Sequence, residues 1–388
     1  MRTLFLAPQP FFRERGSPIR ALRQLEVLSR LGHEADVLCY PFGEDIALPG
    51  IRIIRTWRPP GLKDVKVGPS PAKFPLDLAM LLRAVQLCRR RRYAVIQAVE
   101  EAAFFAVWLK RAYGCRLIYN MDSYISDHLR YAGFLAVRPV LRLAAAFERA
   151  AMRAADCVVT VGSVLSDEVR RLAPGTRIMQ LEDAPLDEEF HEDAAGAERL
   201  RRELGLSPGP VAVYAGNFSA YQGVDLLVRA AAHVGRLMPA ARIVLAGGEP
   251  REIERMRALA AACGALPTLV FAGRRPTSEM RAFTTMACAM LSPRTCGTNP
   301  PLKIYPYLQS GRVIVATRLA THTQVLDDTC SILAEPEPAE LAAGIVEALG
   351  NPARAAALAA AARARLAARY SLEIFRGKAQ SLYESIAS

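Results

Sequence analysis

Short runs rich in Val, Ile and Leu alternate with stretches of helical periodicity, and this alternation occurs as two separate series along the chain. The first series has apolar runs at Thr3–Leu6, Ala35–Cys39, Ile51–Ile54, Ala94–Ala98, Arg116–Tyr119 and Cys157–Val161. The second restarts at Val211–Ala215 and continues through Arg242–Ala246, Leu269–Ala272, Ala287–Leu291 and Val313–Ala316. Such runs read as buried strands, whereas Ile19, Leu22, Leu25, Leu28 and Leu31 follow a helical period. Strand and helix in strict alternation build a doubly wound parallel sheet, so the fold class is α/β. A single core stops growing near roughly 250 to 300 residues, and a chain of 388 with two series therefore carries two such domains.

A composition of 52% hydrophobic and 23% charged residues excludes a disordered or fibrous chain. The net charge of +12 favours polyanions, nucleotides or acidic lipid headgroups as partners without choosing among them. Eight cysteines include no C-x-x-C pair, and they read as reduced thiols of a cytosolic protein. Pro8 and Pro10 fall where a signal peptide would need its apolar core. No charge-free apolar segment approaches the roughly 18 residues that a membrane span requires. The expected location is cytoplasmic, with at most a peripheral hold on the inner face of a membrane.

Tandem domains of this kind bind ligands in the crevice at the carboxyl ends of their strands, so the residues just after each strand are the site candidates. Gly16-Ser17-Pro18 opens the first helix, and Gly16 either lets backbone N–H groups approach an anion or simply makes a turn before a Ser17 cap. Val211-Ala-Val-Tyr-Ala-Gly216-Asn217 leads to Gln222-Gly223 and Asp225, and Ile243-Val-Leu-Ala-Gly247-Gly248-Glu249 follows one unit later. With Phe271-Ala-Gly273, Lys303-Ile-Tyr-Pro-Tyr-Leu-Gln-Ser-Gly311, Leu28-Ser-Arg-Leu-Gly32-His33-Glu34 and Ala154-Ala-Asp156-Cys-Val-Val-Thr, these segments resemble the group 1 retaining glycosyltransferases, often called family 4.

The resemblance implies the GT-B fold, two Rossmann-like domains facing across a cleft. It places an acceptor-side domain at 1–185, a linker at 186–204, a nucleotide-sugar-binding domain at 205–370, and a C-terminal helix at 371–388 crossing back to the first domain. It implies transfer of a sugar from a nucleotide-sugar to a carbohydrate or lipid-linked acceptor with retention, in polysaccharide or glycolipid biosynthesis. The nucleotide-sugar is then a substrate, and no cofactor or metal is expected. Typical members carry an Arg and a Lys where this chain has Asn217 and Gln222, and two Glu residues where it has Thr298 and Pro306. Neither replacement brings charge to the diphosphate, and a carboxylate at Pro306 is excluded as a ribose ligand.

Compensating cations are Arg294, Lys303, Arg274 and Arg275; the three arginines are also readable as ordinary surface charge, whereas Lys303 keeps its place in the resemblance. Asn299-Pro300-Pro301-Leu302-Lys303 reads as a capped helix start whose Leu302 and Lys303 N–H groups face phosphate. The expected donor-binding set is Gly16, Gly216, Asn217, Gln222, Gly248, Arg274, Thr298, Asn299 and Leu302. Glu100 and Asp122 join Arg294 and Lys303 as the catalytic set, orienting an acceptor hydroxyl or the donor sugar; helix capping is the alternative for Asp122. A solvent-exposed or satisfied His322 is expected rather than a catalytic one. Phe74–Arg92 ends in four arginines, which either rest on an anionic leaflet or complement a helix C-terminus. Nucleic acid is not an expected partner, because basic and aromatic residues are not interleaved. The rival reading is a non-catalytic relative that binds a nucleotide-sugar or a partner transferase; an epimerase on the same fold lacks a matching carboxylate set.

Overall fold

The computed structural model describes residues 1–12, 16–62, 64–65, 73–125, 137–185 and 187–387. Residues 13–15 of the loop before Gly16, Leu186 at the start of the expected linker, and the terminal Ser388 lie outside the described residues. The chain divides into two compact units, Met1–Asp183 with Glu373–Ser388, and Ala184–Leu372.

The first unit runs β1 (Arg2–Ala7), α1 (Gly16–Arg30), β2 (Glu34–Cys39), β3 (Ile51–Arg55), α2 (Lys73–Arg90), β4 (Val95–Val99), α3 (Ala102–Tyr113), β5 (Arg116–Met121), α4 (Arg138–Ala154), β6 (Cys157–Thr160), α5 (Ser163–Leu172) and β7 (Ile178–Gln180). Its sheet is parallel, in the order β3-β2-β1-β4-β5-β6-β7. Every residue of β4 is buried, as expected for a parallel strand covered on both faces. On one face Leu76, Met80 and Ala84 of α2, Ala103 and Ala106 of α3 and Met152 of α4 pack on Leu4, Ile96, Leu117 and Tyr119.

The second unit contains α6 (Ala194–Glu203), β8 (Val211–Ala215), α7 (Val224–Leu237), β9 (Arg242–Ala246), α8 (Pro250–Ala262), β10 (Leu269–Gly273), α9 (Met280–Met286), β11 (Ala289–Ser292), α10 (Ile304–Gln309), β12 (Val313–Thr317), α11 (Ala320–Thr323), β13 (Ile332–Ala334), α12 (Pro338–Gly350) and α13 (Pro352–Arg369). Its parallel sheet runs β10-β9-β8-β11-β12-β13, with separate apolar layers on its two faces. The last helix, α14 (Leu372–Ala387), belongs to the first unit.

Three differences from the sequence reading have simple causes. The strands β7 and β13 are only three residues long, too short to show a pattern. The expected linker is largely α6, which Asp193 caps by accepting from Gly196 N at 2.8 Å and which packs on α9. In α1 the buried set includes Arg20 and Gln24, while Leu22 and Leu31 are half-buried. Polar residues stand in that buried set because they have partners there. Gln24 Oε1 accepts from Asn120 Nδ2 at 2.8 Å, Gln97 Nε2 donates to Asn120 Oδ1 at 3.0 Å, and Tyr383 of α14 donates to Gln97 Oε1 at 3.1 Å.

That last bond joins a helix at the end of the chain to the central strand β4. Tyr383→Phe keeps the ring and removes the donor, leaving a buried acceptor unsatisfied. The expected loss is about 1 to 3 kcal/mol, read as a lower urea midpoint for the first unit.

Candidate functional site

Strand order reverses in the second unit between β8 and β11, where the connections leave to opposite faces and open a crevice at the strand ends. Gly216 follows β8 there, and Pro293 and Arg294 follow β11. The Lys303 ammonium lies 4.0 Å from the centroid of the Tyr214 ring, and the Arg294 guanidinium carbon lies 5.2 Å from that of Tyr221. Arg294 Nη1 donates to Asn299 O at 2.9 Å and to Thr321 Oγ1 at 3.1 Å. His322 is fully buried, with Nδ1 2.8 Å from Thr317 O and Nε2 2.8 Å from Ser292 Oγ. The carbonyl partner makes Nδ1 the donor, so Nε2 accepts from the serine. Burial, with Arg294 and Lys303 close by, pushes the imidazole down to about 3, so it is neutral.

Among the described residues, Lys303 Nζ, Arg294 Nε and Gln222 Oε1 are buried without a hydrogen-bond partner, and no carboxylate pairs with Lys303 or Arg294. Burial lowers the pKa of both cations, and for Lys303 the charge of Arg294 lowers it further. Desolvating a cation costs several kcal/mol (~3 or more) unless a counter-charge repays it, and an anion entering here would supply that counter-charge. Gly216 leaves the approach open, since a Cβ there would stand 2.6 Å from Lys303 Nζ. Gly223, at φ 68°, lies against Pro293, whose carbonyl oxygen would be 1.8 Å from an added Cβ.

The other expected donor residues fall differently. Asn217 is exposed and its Oδ1 accepts from Ser219 N at 3.1 Å, so it shapes its own turn. A Cβ on Gly248 would meet the Phe218 ring at 2.6 Å. Arg274 pairs with Glu249 at 3.3 Å with both side chains largely exposed, and Arg275, mostly buried, is taken by Glu203 at 2.5 Å; both arginines thus have carboxylate partners within the protein. Thr298 offers its carbonyl to Gln324 at 2.9 Å, and Asn299 positions Arg294. Leu302 and Lys303 form the turn before α10, which starts at Ile304, so the helix begins later than expected. Pro306 sits inside α10.

In the first unit the reversal lies between β1 and β4. Arg20 bridges Asp122 at 2.9 Å and Asp183, whose Oδ1 accepts from Nε at 2.7 Å, and all three side chains are buried. Burial opposes the Arg20 charge, but the two carboxylates outweigh it and raise its pKa. Asp122 is thus one of two carboxylates paired with Arg20, a network that the sequence reading did not contain; the segment that it would cap, from residue 126 on, lies outside the described residues. Glu100 ends β4 at φ 46°, in the left-handed region that costs a residue with a side chain about 1 kcal/mol or more. Its Oε1 accepts from Ser123 Oγ at 2.7 Å, and burial, reinforced by Glu101 and Asp122, pushes the carboxyl up to about 7. Asp77 is likewise pushed up to about 7 by burial and Glu101, and it accepts from Tyr40 at 2.5 Å. Lys73 binds Glu101 at 2.6 Å. Gly16 is the first residue of α1, with open space around it. No group of three or more His, Cys, Asp or Glu suited to a metal ion occurs among the described residues.

Two family profiles match: the Glycosyl transferase 4-like domain over residues 15–182, and Glycosyl transferases group 1 over residues 209–351. The chain belongs to the group 1 glycosyltransferases. This group 1 chain is 31% identical over 156 residues to the alpha-D-kanosaminyltransferase of Streptomyces kanamyceticus, covering 38% of this chain and 39% of that protein. It is 28% identical over 182 residues to the GDP-mannose-dependent alpha-(1-6)-phosphatidylinositol monomannoside mannosyltransferase of Mycolicibacterium smegmatis, covering 45% and 47%. The chain thus spans less than half the length of these curated relatives. Among solved structures, the sucrose-phosphate synthase of Thermosynechococcus elongatus superposes over 100% of both chains with TM-score 0.84 at 18% identity. The fold is GT-B.

The sequence reading passed over Arg20, Asp183, Tyr214, Tyr221 and Asp77. The available signal was a charged residue in the apolar run Pro18-Ile19-Arg20-Ala21, which needs a buried partner if the helix is covered on both sides.

Replacing Arg20 with Ala strands two buried carboxylates and is expected to cost about 3 to 5 kcal/mol in chemical unfolding. For His322, the unfolded chain protonates near its ordinary 6.5 while the folded state stays neutral to about 3. Its contribution to stability is therefore complete above the unfolded value and is lost as pH falls between the two. Urea midpoints taken from neutral pH down to about pH 5 should fall less steeply in His322→Gln than in the wild type.

Proposed function

We propose that this group 1 chain moves a sugar from a nucleotide-sugar donor to a carbohydrate or lipid-linked acceptor with retention of configuration. The observation that carries this reading is the pair of buried cations, Arg294 and Lys303, with no carboxylate partner. A nucleoside diphosphate supplies the missing charge. As the bond from the anomeric carbon to the diphosphate oxygen breaks, negative charge grows on the leaving group and both cations stabilise it more strongly than in the bound substrate. The acceptor oxygen bonds to the same carbon on the same face, and its proton passes to the departing phosphate. Gln222, with its unpartnered amide oxygen, contributes a neutral contact to the donor. Glu100, poised near neutrality, orients the acceptor hydroxyl, while Asp122 keeps Arg20 in place. In this reading side chains neutralise the diphosphate, and neither cofactor nor metal is invoked.

The names of the two curated relatives, a kanosaminyltransferase and a mannosyltransferase acting on a phosphatidylinositol mannoside, support sugar transfer, and the second supports a glycolipid setting; we propose polysaccharide or glycolipid biosynthesis. Among the described residues no helix is long and apolar enough to cross a membrane. We place the reaction in the cytoplasm, at or near the inner face of the membrane. A second reading, a non-catalytic binder of nucleotide-sugar, draws on the neutral Asn217, Gln222, Thr298 and Pro306 at positions where typical members carry charge.

Arg294→Ala or Lys303→Met should each weaken binding of uridine or guanosine diphosphate by roughly ten-fold or more in calorimetry, one charge-assisted bond being lost. Because Lys303 is a buried cation without a partner, Lys303→Met should be at least as stable as the wild type in the absence of ligand. Unchanged affinity in both variants would overturn the assignment. A panel of nucleotide-sugars that bind without diphosphate release, in the presence of polysaccharide or lipid extract, would select the second reading.

A further inference from the structure

Among the described residues, every hydrogen bond of the Arg294 guanidinium leaves from one nitrogen. Nη1 donates to Asn299 O at 2.9 Å and to Thr321 Oγ1 at 3.1 Å, with Asn299 Oδ1 at 3.5 Å. The Thr321 hydroxyl in turn donates to Asn299 O at 2.7 Å, so the three groups close a triangle. Gly297, at φ 122°, lies against it: a Cβ there would stand 3.5 Å from Nη1 and 3.9 Å from both Asn299 Oδ1 and Thr321 Oγ1. The Tyr221 ring covers the guanidinium at 5.2 Å. Nε, by contrast, is buried and donates to nothing.

A loop that carries such an arginine does not hold it still by itself, since residues 293–303 form neither helix nor strand. The segment after β12 fixes it from outside. Thr317 Oγ1 donates to Arg294 O at 2.5 Å, Thr321 closes the triangle above, and Gln324 Nε2 donates to Thr298 O at 2.9 Å. Thr317 and Thr321 are fully buried, so water does not compete for their hydroxyls. Of the three, only Thr321 touches the guanidinium. A guanidinium presents its N–H groups as a rigid planar fork, and with Nη1 occupied the remaining pair of parallel donors is Nε–H and one N–H of Nη2. That pair has the spacing of two oxygens on a single phosphate.

We propose that Thr321 is a positioning residue of the donor site: by holding Nη1 it turns the Nε–Nη2 edge of Arg294 to the donor, where that edge takes two oxygens of one phosphate. This role rests on the reading that Arg294 meets a nucleoside diphosphate; it adds which edge of the residue does so and what keeps that edge in place. Arg294 and Lys303 then differ in kind. Lys303 supplies a point charge, whereas Arg294 supplies charge in a fixed direction, and a lysine in its place does not substitute for it.

Calorimetry of the full chain with uridine diphosphate, guanosine diphosphate and inorganic pyrophosphate tests this. Thr321→Val keeps the shape of the side chain and removes the hydroxyl, and it should weaken binding about ten-fold as the fork loses its aim. Thr321→Ser restores the hydroxyl and should return affinity to within about three-fold of the wild type. Arg294→Lys keeps the charge without the fork and is expected to bind about ten-fold more weakly; it leaves Thr321 bonded to Asn299, so it reads the fork even where Thr321→Val folds poorly. Because Thr321 acts through Arg294, adding Thr321→Val to Arg294→Ala should change affinity by less than about two-fold. A threonine with a merely structural role would instead lower affinity by the same factor in both backgrounds, and that result overturns the proposal. So would wild-type affinity in Thr321→Val or in Arg294→Lys, or no recovery in Thr321→Ser. Wild-type affinity in Arg294→Ala is a separate outcome: it would show that diphosphate does not meet Arg294 and would remove the donor-site reading together with the role of Thr321.

Discussion

Two buried positive charges without a protein counter-charge shape the second unit around the end of β8 and β11. Holding Arg294 and Lys303 out of water is unfavourable, and the surrounding residues limit that cost by supplying oxygen and π-electron density instead of carboxylates. Asn299 and Thr321 orient one edge of the guanidinium, and the Tyr221 and Tyr214 rings face the two cations. A third charge close by would be intolerable, which is why His322 is fixed as the neutral tautomer between Ser292 and Thr317. Had a carboxylate paired with either cation, it would have stabilised the empty site and competed with any incoming anion. In the proposed function, that cost in local stability leaves the charge available to the donor diphosphate.

The first unit solves the opposite problem. Its buried ions are matched within the protein: Arg20 with Asp122 and Asp183, and Lys73 with Glu101. Matching fixes geometry, so α1, the end of β5 and the end of the unit's first stretch are tied at one point. Glu100 and Asp77 are exceptions, carboxyls held near neutrality by burial and by like charges, and Glu100 stands on a backbone conformation that most residues avoid. Strain and a displaced pKa at one residue next to a matched network are what the proposed role of Glu100 in orienting the acceptor rests on.

The α/β architecture was legible because parallel strands covered on both faces must be nearly continuous apolar runs, and β4, β5, β8 and β12 are of that kind. What escaped was short or polar. Three-residue strands such as β7 and β13 leave no periodicity, and α6 hides in a segment whose acidic and turn residues read as linker. At the site, Arg294 and Lys303 were legible as cations after a strand and in the following turn, but Arg274, of the same type after another strand, turned out to pair with Glu249 at the surface. Sequence places a charge on a loop; only packing decides whether a carboxylate reaches it. Asp122 shows the converse, a plausible functional acid whose partner, Arg20, lies about a hundred residues earlier.

Charge in the second unit has also been redistributed relative to the pattern typical of its family. The position after Gly216 is Asn217, exposed and engaged with Ser219, and the position before Gly223 is Gln222, buried with its oxygen unpartnered. In the proposed function, Arg294 of the β11 loop takes the place of the cation that typical members carry after the glycine matching Gly216. Moving it places it close enough to Lys303 to depress that ammonium's pKa, a consequence that two well-separated cations would avoid. The two residues thus act as one electrostatic unit: an anion that neutralises either raises the proton affinity of Lys303 and strengthens the grip of both. In the proposed function, compensation for the neutral Asn217 and Gln222 is therefore cooperative rather than a one-for-one exchange of charges.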